Sequence, residues 1–447
     1  MYKVSKKPWY VLIFLVWGLL VGFLFWLTRD EPLSKEAELL LANVQLYDAS
    51  ITEHPYFDVL GFDARSDLDS QVLGRLIYRQ GWSEYYNTSD VKIDYERNRQ
   101  KLSRLKFEYL TNDEKNLLKE ILNQNDEHLF YRNLLNNKLQ LQRLYLRQSV
   151  LNKKFQDFVK QHNSTKPLLL SVNTDYPNYS LIRMAHLIYL SDLFFKNDKT
   201  EIAIYIEQLI YKSTKAENLV EKMVIISMLS QSVVVLNHLN HGEISSNIRI
   251  PTLTKGQMSL RSSLSVEFAS LSVYWDQINS KSEGMGLFDH IDEHGNVVDV
   301  KPLKKYFLKA LSPFLFLKNM TKNEEARYYQ SIIEITELNN PKFKSTLIDK
   351  TFEKEFKHKS IRNVFGRKIA LISSPSWLKY SMRLRLLNQK IQVFNVLASN
   401  RQFDLKQLNQ NKDGYEYYRT ETELCIKSPD PNQDEEEWKK YKSCLRI

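Results

Sequence analysis

The strongest hydrophobic pattern lies near the start of the chain, where residues 9–27 read WYVLIFLVWGLLVGFLFWL without a charged side chain. At ~1.5 Å per residue, a helix of this length nearly spans the ~30 Å hydrocarbon core of a bilayer. The charged residues that flank the run are Lys3, Lys6, Lys7, Arg29, Asp30 and Glu31. Positive charge beside a membrane span stays cytoplasmic, so the pattern predicts a cytoplasmic segment 1–8 and an exported body 28–447.

A cleaved signal peptide is the first alternative to an anchor. Cleavage requires a site of small residues, whereas the run ends in the bulky sequence of residues 23–27. No cysteine lies near the run, which excludes a lipoprotein anchor. Trp9, Tyr10 and Trp26 lie at its two ends, where aromatic rings favour the membrane interface. The sequence therefore predicts an uncleaved, single-pass signal anchor.

After this run, apolar positions recur at three- and four-residue steps, which predicts helices. Thr111 and Glu114 form a capping-box pattern, and Ser66-Asp67 is a candidate cap for a helix that ends near Tyr86. One or two long helices are expected over 126–161, where no Pro or Gly interrupts. Further predicted elements are helices at 33–50, 178–196, 199–213, 216–240, 254–280, 303–319, 322–337, 361–372 and 376–400, and a hairpin at 286–300.

These elements predict an all-α fold, a helical bundle or an α-solenoid-like array behind the single membrane helix. The low content of Gly and Pro, 12 of each, suits long helices better than an all-β protein. Pro167 and Pro177 bound a segment that resembles a linker. The expected division is an N-terminal helical region at 28–165, a main helical domain at 166–410 and a C-terminal tail at 411–447.

The segment Met223–Leu239 carries no charge and is a second candidate for a membrane span. Polar side chains such as Ser230, Gln231 and Asn237 lie in its middle and at its end, and such groups are costly at a bilayer centre. A buried core helix explains the same pattern and is the favoured interpretation. A second span would return the C-terminal half to the cytoplasm.

Charge gives little indication of a partner. The formal net charge is +10, without a basic run or an RNA-binding signature. A nucleic-acid partner is not expected outside the cytoplasm. A mild attraction to anionic lipid or cell-wall polymer is an alternative to an ordinary solvated surface.

The two cysteines, Cys425 and Cys444, lie close together near the C-terminus. An exported compartment is oxidising, so we expect them to form a disulfide, with two unpaired thiols as the alternative. Two cysteines with no histidine nearby do not indicate a metal site.

Glu267 is the candidate site residue that the pattern singles out. It lies within a helical stripe of apolar residues, three positions after Leu264 and four before Leu271. Burial raises the pKa of a carboxyl group unless a partner compensates, and such a group can serve as a general acid. The structural alternative is a glutamate paired with an arginine such as Arg183 or Arg385.

His290 and His294 are four residues apart, a spacing that binds zinc on a helix. The neighbouring Gly284, Gly286 and Gly295 indicate a loop instead, and the HExxH order is absent. The chain also lacks GxSxG, P-loop and GxGxxG motifs, and the S-x-x-K match at Ser376 has no companion motifs. No cofactor is predicted.

Two families offer comparisons. Exported helical proteins with one catalytic glutamate include soluble lytic transglycosylases, but serine follows that glutamate, whereas Phe268 follows Glu267 here. The segment HPYFDVLGFDARSDLDSQVLGR, the helix ENLVEKMVIISML and the two-cysteine tail resemble a set of uncharacterised proteobacterial proteins. Those proteins have an N-terminal membrane anchor and a helical exported body. The resemblance implies a Gram-negative inner membrane and periplasm, and no activity.

The expected role is a membrane-anchored periplasmic scaffold or assembly protein that binds a protein of the cell envelope. A cell-wall-active hydrolase or lyase using Glu267 is one alternative. A periplasmic chaperone-like holding protein is another.

Overall fold

The computed structural model describes most of the chain, with several gaps. The described residues are 7–86, 92–124, 127–161, 166–171, 173–240, 248–280, 290–291, 297–298, 316–337, 362–363, 366–367, 370, 378–399, 403–410, 416–426 and 443–447. Helices dominate this part of the chain, as the periodicity predicts.

The chain divides into two compact units, neither of which is continuous in sequence. Unit 1 comprises residues 1–41, 271–331 and 349–376, and unit 2 comprises residues 42–270, 332–348 and 377–447. The expected division at residues 165 and 410 stays a prediction.

Unit 1 contains the N-terminal helix α1 (Lys7–Thr28) and α2 (Lys35–Ala42). It also contains the second half of α14 (Arg261–Ser280), the first part of α15 (Lys318–Glu337) and the hairpin β1 (His290–Ile291) and β2 (Val297–Val298). The antiparallel pairing of His290 with Val298 confirms the predicted hairpin. The helix predicted at 303–319 lies mainly outside the described residues, and so does most of the helix predicted at 361–372.

The segment that follows α1 is bonded to the start of α15. The Asp30 carboxylate accepts the backbone amides of Asn319 at 2.8 Å and Met320 at 3.1 Å. These amides lack partners within the helix, so a carboxylate there both satisfies them and complements the helix dipole. Asn323 adds a bond from its side chain to the Pro32 carbonyl at 2.9 Å. The exit of α1 is therefore fixed to unit 1 by several hydrogen bonds.

Unit 2 is a helical body built around α12 (Leu219–Asn240). The other helices that lie mainly in this unit are α3 (Tyr56–Leu60), α4 (Ser70–Tyr86), α5 (Lys92–Leu105), α6 (Asn112–Leu122), α7 (Glu127–Asn136), α8 (Lys138–Arg147), α9 (Ser149–Lys160), α10 (Tyr179–Phe195), α11 (Lys199–Thr214), α13 (Lys255–Met258), α16 (Leu378–Ser399) and α17 (Leu405–Asn409). Helix α12 packs against α10, α11 and α16. About 67% of its apolar window is buried, which is the packing of a core helix.

Local capping explains several boundaries. Thr111 and Glu114 form the predicted capping box at the start of α6. Asn197 adopts a left-handed conformation (φ 55°) that ends α10, and Asp198 then caps α11 by accepting the Glu201 amide at 3.0 Å. The predicted bounds of α10, α11 and α12 agree with the observed ones to within three residues.

Four local predictions were wrong. Helix α4 begins at Ser70, because Asp69 rather than Ser66-Asp67 accepts the first amides. Residues 127–160 form three helices rather than one or two, and Ser259 separates α13 from α14 in the span predicted as one helix. Residues 168–170, predicted as part of a linker, are buried, and the Gln45 amide bonds the Pro167 carbonyl.

The C-terminal residues form an unpredicted antiparallel sheet. Its strands are β3 (Tyr417–Arg419), β4 (Glu423–Ile426) and β5 (Cys444–Arg446), in the order β3-β4-β5. Cys425 and Cys444 are directly opposite each other in the register, and they form the predicted disulfide. The sheet packs against α16, so tertiary contacts rather than the tail's own residues order it.

Two glycines allow α3 to approach α4 at backbone distance. A Cβ atom on Gly74 of α4 would lie 1.9 Å from the Phe57 carbonyl oxygen. A Cβ atom on Gly61 would lie 2.1 Å from the Ser70 carbonyl oxygen. No larger residue fits at either position without movement of the backbone. This contact positions Tyr56 and Asp58 at the edge of the site described next.

Candidate functional site

Charged and polar side chains converge at the N-terminus of α12, inside unit 2. We call the following six residues the α12 cluster: Tyr56, Tyr179, Lys212, Glu217, Asn218 and Glu221. Lys212 and Glu221 are fully buried, and Glu217 is 2% exposed. Charged side chains are rarely buried so completely, so this is an unusual chemical environment.

Asn218 is the N-cap that organises the cluster. Its side-chain oxygen accepts the Glu221 amide at 2.9 Å, and its side-chain amide donates to the Tyr56 hydroxyl at 2.6 Å. The Tyr56 and Tyr179 hydroxyls are 2.9 Å apart. One side chain therefore joins α12 to α3 and α10.

The two cluster carboxylates each accept a backbone amide. Glu221 accepts the Glu217 amide at 2.8 Å, and Glu217 accepts the Leu168 amide at 2.7 Å. Both acceptors lie at a helix N-terminus, where the partial positive charge of the helix favours an anion. The bonds also attach the chain before α10 to the start of α12.

Lys212 is the counter-charge of the cluster. Its Nζ atom lies 4.0 Å from an oxygen of Glu221 and 4.6 Å from the centre of the Phe158 ring. Among the described residues, this ammonium group has no hydrogen-bond acceptor. It is held by charge attraction and by the face of an aromatic ring.

Burial favours the neutral form of each ionisable group in the cluster, and it shifts the pKa of each group accordingly. It lowers the pKa of Lys212, against the attraction of Glu221, Glu217 and Asp58. It raises the pKa of Glu221, and burial together with the Glu221 charge raises the pKa of Glu217 to about 8. Glu217 is thus mainly protonated at neutral pH.

Glu267, the residue singled out in the sequence, lies at the same helix end. The Leu219 backbone hydrogen-bonds to its carboxylate, which lowers its pKa, but burial dominates and raises the pKa to about 7. Neither Arg183 nor Arg385 is among the groups that shift it in the described structure. Burial and, after it, the Glu267 charge raise the pKa of Tyr176. Three glutamates therefore surround the first turn of α12.

The Glu267→Gln variant is expected to show a pH-dependent gain in relative stability. Because the folded pKa of about 7 exceeds the ordinary 4.5, Glu267 stabilises the fold when protonated and loses that contribution as the pH rises from 4.5 to 7. Glutamine stays neutral and still accepts the Leu219 amide. The stability of the native chain relative to the variant should fall by at most about 3 kcal/mol across this window and be constant above it.

Urea unfolding of both chains in detergent, followed by circular dichroism at pH values from about 5 to about 8, measures this difference. The matched control is Glu120→Gln, since Glu120 is an exposed carboxylate on α6. It should give a difference that hardly varies with pH. A constant difference for Glu267→Gln as well would contradict the burial of an ionisable carboxyl group there.

The predicted histidine site is only partly described. His290 lies in β1, where its backbone alone is described, and His294 lies outside the described residues. Elsewhere in the described residues, Glu423 lies within 4.8 Å of the two cysteine sulfurs. A disulfide offers no thiolate to a metal ion, so this group is not a metal site.

An open surface hollow of about 600 Å³ lies elsewhere in unit 2. Glu207, Arg249, Pro251 and Asn395 are among its lining residues, and neither Glu267 nor the cluster contributes to it. The charged cluster groups are covered by protein. The α12 cluster can cap the start of α12 and keep ionisable groups buried. None of its carboxyl groups is accessible to a solute.

The sequence contained signals for most of this cluster. Asn218 and Glu221 have the N-cap and N3 spacing of a capping box. Lys212 follows Tyr205 and Leu209 at steps of four and three, so it falls in an apolar stripe as Glu267 does. The meeting of these groups with Tyr56 and Tyr179 depends on the tertiary fold.

Comparisons with protein-family models, with curated proteins and with solved structures gave no match for this chain. The function is therefore argued from the molecule itself.

Proposed function

We propose that this chain is a single-pass protein of a bacterial inner membrane, with a helical periplasmic body that binds another protein of the cell envelope. The exposed apolar surface of α1 carries the proposal. Its window Val11–Thr28 is long and apolar enough to cross a membrane, and 0% of it is buried by the rest of the chain. A continuous apolar surface of this kind favours a lipid environment.

The connection of α1 to unit 1 supports an anchor that belongs to the mature protein. Asp30, Glu31 and Pro32 all bond to residues at the start of α15. Arg362 contacts Glu31 at 3.4 Å and lies over the Trp26 ring at 5.0 Å. Cleavage after residue 27 would remove Trp26 and leave Asp30, Glu31 and Pro32 close to a free N-terminus.

The burial of α12 supports one span rather than two. The polar groups that made Met223–Leu239 doubtful as a span have protein partners. Ser232 donates to the Met228 carbonyl at 2.9 Å, Asn237 donates to the Arg446 carbonyl at 3.0 Å, and Lys390 donates to Ser230 at 2.8 Å. In a bilayer Asn237 and Ser230 would lose these partners, whereas the Ser232 bond lies within α12 and would remain.

The position of Glu267 favours binding over catalysis. A general acid must reach the proton acceptor of a substrate. The Glu267 carboxylate instead lies against the backbone of α12 and is partly buried. The hydrolase or lyase alternative would need this helix end to open.

Topology reporters test the placement of the body. Alkaline phosphatase fused after residue 447 should be active, and a fluorescent protein that matures only in the cytoplasm should stay dark there. In cells, Cys425 and Cys444 should resist alkylation until a reductant is added, because the periplasm is oxidising. An inactive phosphatase together with a bright fluorescent fusion would overturn the proposal.

In-cell photocrosslinking tests the binding role. A photoreactive residue in place of Ile204 or Tyr211, both exposed on α11, should yield a discrete adduct with an envelope protein. The Glu267→Gln chain should give the same adduct. If Glu267→Gln abolished the cellular function while leaving folding and adduct unchanged, the catalytic alternative would replace this one.

A further inference from the structure

The helices α7, α8 and α9 follow one another as an interrupted rod on the outside of unit 2. At the two breaks the hydrogen bonds still connect residues four apart: Leu141 bonds to Asn137 at 3.0 Å, and Asn152 bonds to Gln148 at 2.9 Å. The helices of the rod have a summed length of about 50 Å. The side chains of the rod therefore keep a nearly continuous inner and outer face.

The inner face is the ordinary core face of these helices. Leu134, Leu141, Leu144, Leu151 and Phe155 are buried. Helices α8 and α9 pack against α10, and α7 contacts α12. This packing fixes which side chains must point outward.

The outer face carries exposed apolar side chains. Leu139 is 69% exposed and Leu146 is 77% exposed, and Leu135 and Val150 are each 44% exposed. These four positions follow the helical repeat along the rod. Single exposed leucines are common, but a row of them along one helical face is not explained by the fold.

Basic side chains lie on the same face before, between and after the apolar ones. Arg132, Arg143, Lys153 and Lys160 are exposed at positions on the same face. No ion pair to them occurs among the described residues, whereas the neighbouring Arg147 pairs with Glu114. Asp157 is the acidic residue at this spacing, so the face is apolar and clearly positive.

We propose that this outer face, formed by Arg132, Leu135, Leu139, Arg143, Leu146, Val150, Lys153 and Lys160, docks on an anionic phospholipid surface. The leucines and valine enter the boundary between headgroups and acyl chains. The guanidinium and ammonium groups bind lipid phosphates as charge-assisted donors. Each apolar residue has a basic residue within four positions, as such a boundary requires.

The basic side chains of this face favour an anionic lipid surface over a protein partner or a second copy. Lysine is depleted from protein interfaces, whereas Lys153 and Lys160 both lie on this face. A symmetric contact between two copies would bring like charges together. The proposed anchor would hold the body beside a bilayer and raise the effective lipid concentration, but the chemistry of the face does not depend on it.

An environment-sensitive fluorophore on Leu146→Cys, in the full chain reconstituted into liposomes, tests the proposal. With phosphatidylglycerol present, the emission should shift to the blue and brominated lipid should quench it; with phosphatidylcholine alone, both effects should be lost. Added salt should weaken them, since exposed charges are screened. The matched control is the same label on Tyr211→Cys, which should respond to neither lipid.

The pair Arg143→Glu and Lys153→Glu, introduced together, should abolish the shift of the Leu146 label. The pair Lys101→Glu and Lys119→Glu changes the net charge equally at exposed positions on other helices and should leave the shift intact. Carbonate-resistant flotation of the liposomes reports insertion of α1 separately. Failure of the anchor and failure of the docking face are thus distinguishable.

Three outcomes would overturn the proposal. Equal emission in both lipids would show that the face does not bind anionic lipid. A shift that grows with the protein-to-lipid ratio would indicate a second copy as the occupant. A shift of equal size in nonionic detergent without lipid would show that the face needs no lipid phosphate.

Discussion

Glu221→Leu is expected to lower the free energy of unfolding by about 3–5 kcal/mol, the range found when one partner of a buried charge pair is removed. Glu221 is fully buried, and its charge is the nearest counter-charge that the structure gives to Lys212. The substitution leaves the Lys212 ammonium in an apolar environment without that charge. It also removes the acceptor of the Glu217 amide at the start of α12.

Two companion variants separate these causes. Glu221→Gln keeps an acceptor for the Glu217 amide and should lose less stability than Glu221→Leu. The double variant Lys212→Met with Glu221→Gln removes both charges and should be more stable than either charge-breaking single change. Because burial already lowers the pKa of Lys212, the cost of Glu221→Leu should shrink as the pH rises and Lys212 becomes neutral.

Urea unfolding of the chain in detergent, followed by circular dichroism at two pH values, measures these differences. A double-mutant cycle gives the coupling between the two residues. Simple additivity of Lys212→Met and Glu221→Gln would contradict the pairing. So would a loss below about 1 kcal/mol for Glu221→Leu, since that is the size of an exposed ion pair.

The second large effect is expected for Gly74→Ala. The added Cβ atom would lie 1.9 Å from the Phe57 carbonyl oxygen, and backbone cannot yield as a flexible side chain can. Overpacking of a core costs about 1–3 kcal/mol and sometimes more, and this clash is between the added Cβ atom and a backbone carbonyl. We expect a loss at the upper end of that range or beyond it, because α3 must separate from α4.

Gly256→Ala is the matched control. Gly256 also lies in a helix, α13, but a Cβ atom there would meet nothing within 4 Å. Alanine is favoured over glycine in a helix by about 1 kcal/mol, so this variant should be slightly more stable than the native chain. Thermal unfolding of both variants, read by circular dichroism, tests the contrast. Equal effects would show that the close approach of α3 to α4 is not required.

Much of the helical pattern was predictable because it depends on local features. The capping box of α6 and the apolar spacing of α10 to α12 each depend on residues a few positions apart. The start of α4 was misplaced by a local choice, because Asp69 caps it, and other errors occurred where distant residues decide the structure. Three helices rather than one or two form over 127–160, and strands form in the tail because they pack on α16.

The site was predictable only in part. Glu267 was found because a charge interrupts an apolar stripe, and Lys212 carried the same signal without being singled out. Their pKa shifts arise from burial by several helices, which one stripe does not reveal. The role of Glu217 as an acceptor for Leu168 joins residues 49 positions apart and has no local signature.

The sequence by itself determined the apolar N-terminal helix, the flanking charges that predict its orientation and the helical character of the body. These properties follow from local periodicity and from the free energy of transfer of apolar side chains, which do not require knowledge of the fold. The tertiary structure decided that Met223–Leu239 is covered by other helices and that three glutamates meet at the start of α12. Hydropathy cannot distinguish burial by lipid from burial by protein, because both remove the same apolar surface from water. Only the packed neighbours, with their partners for the polar groups, make that distinction.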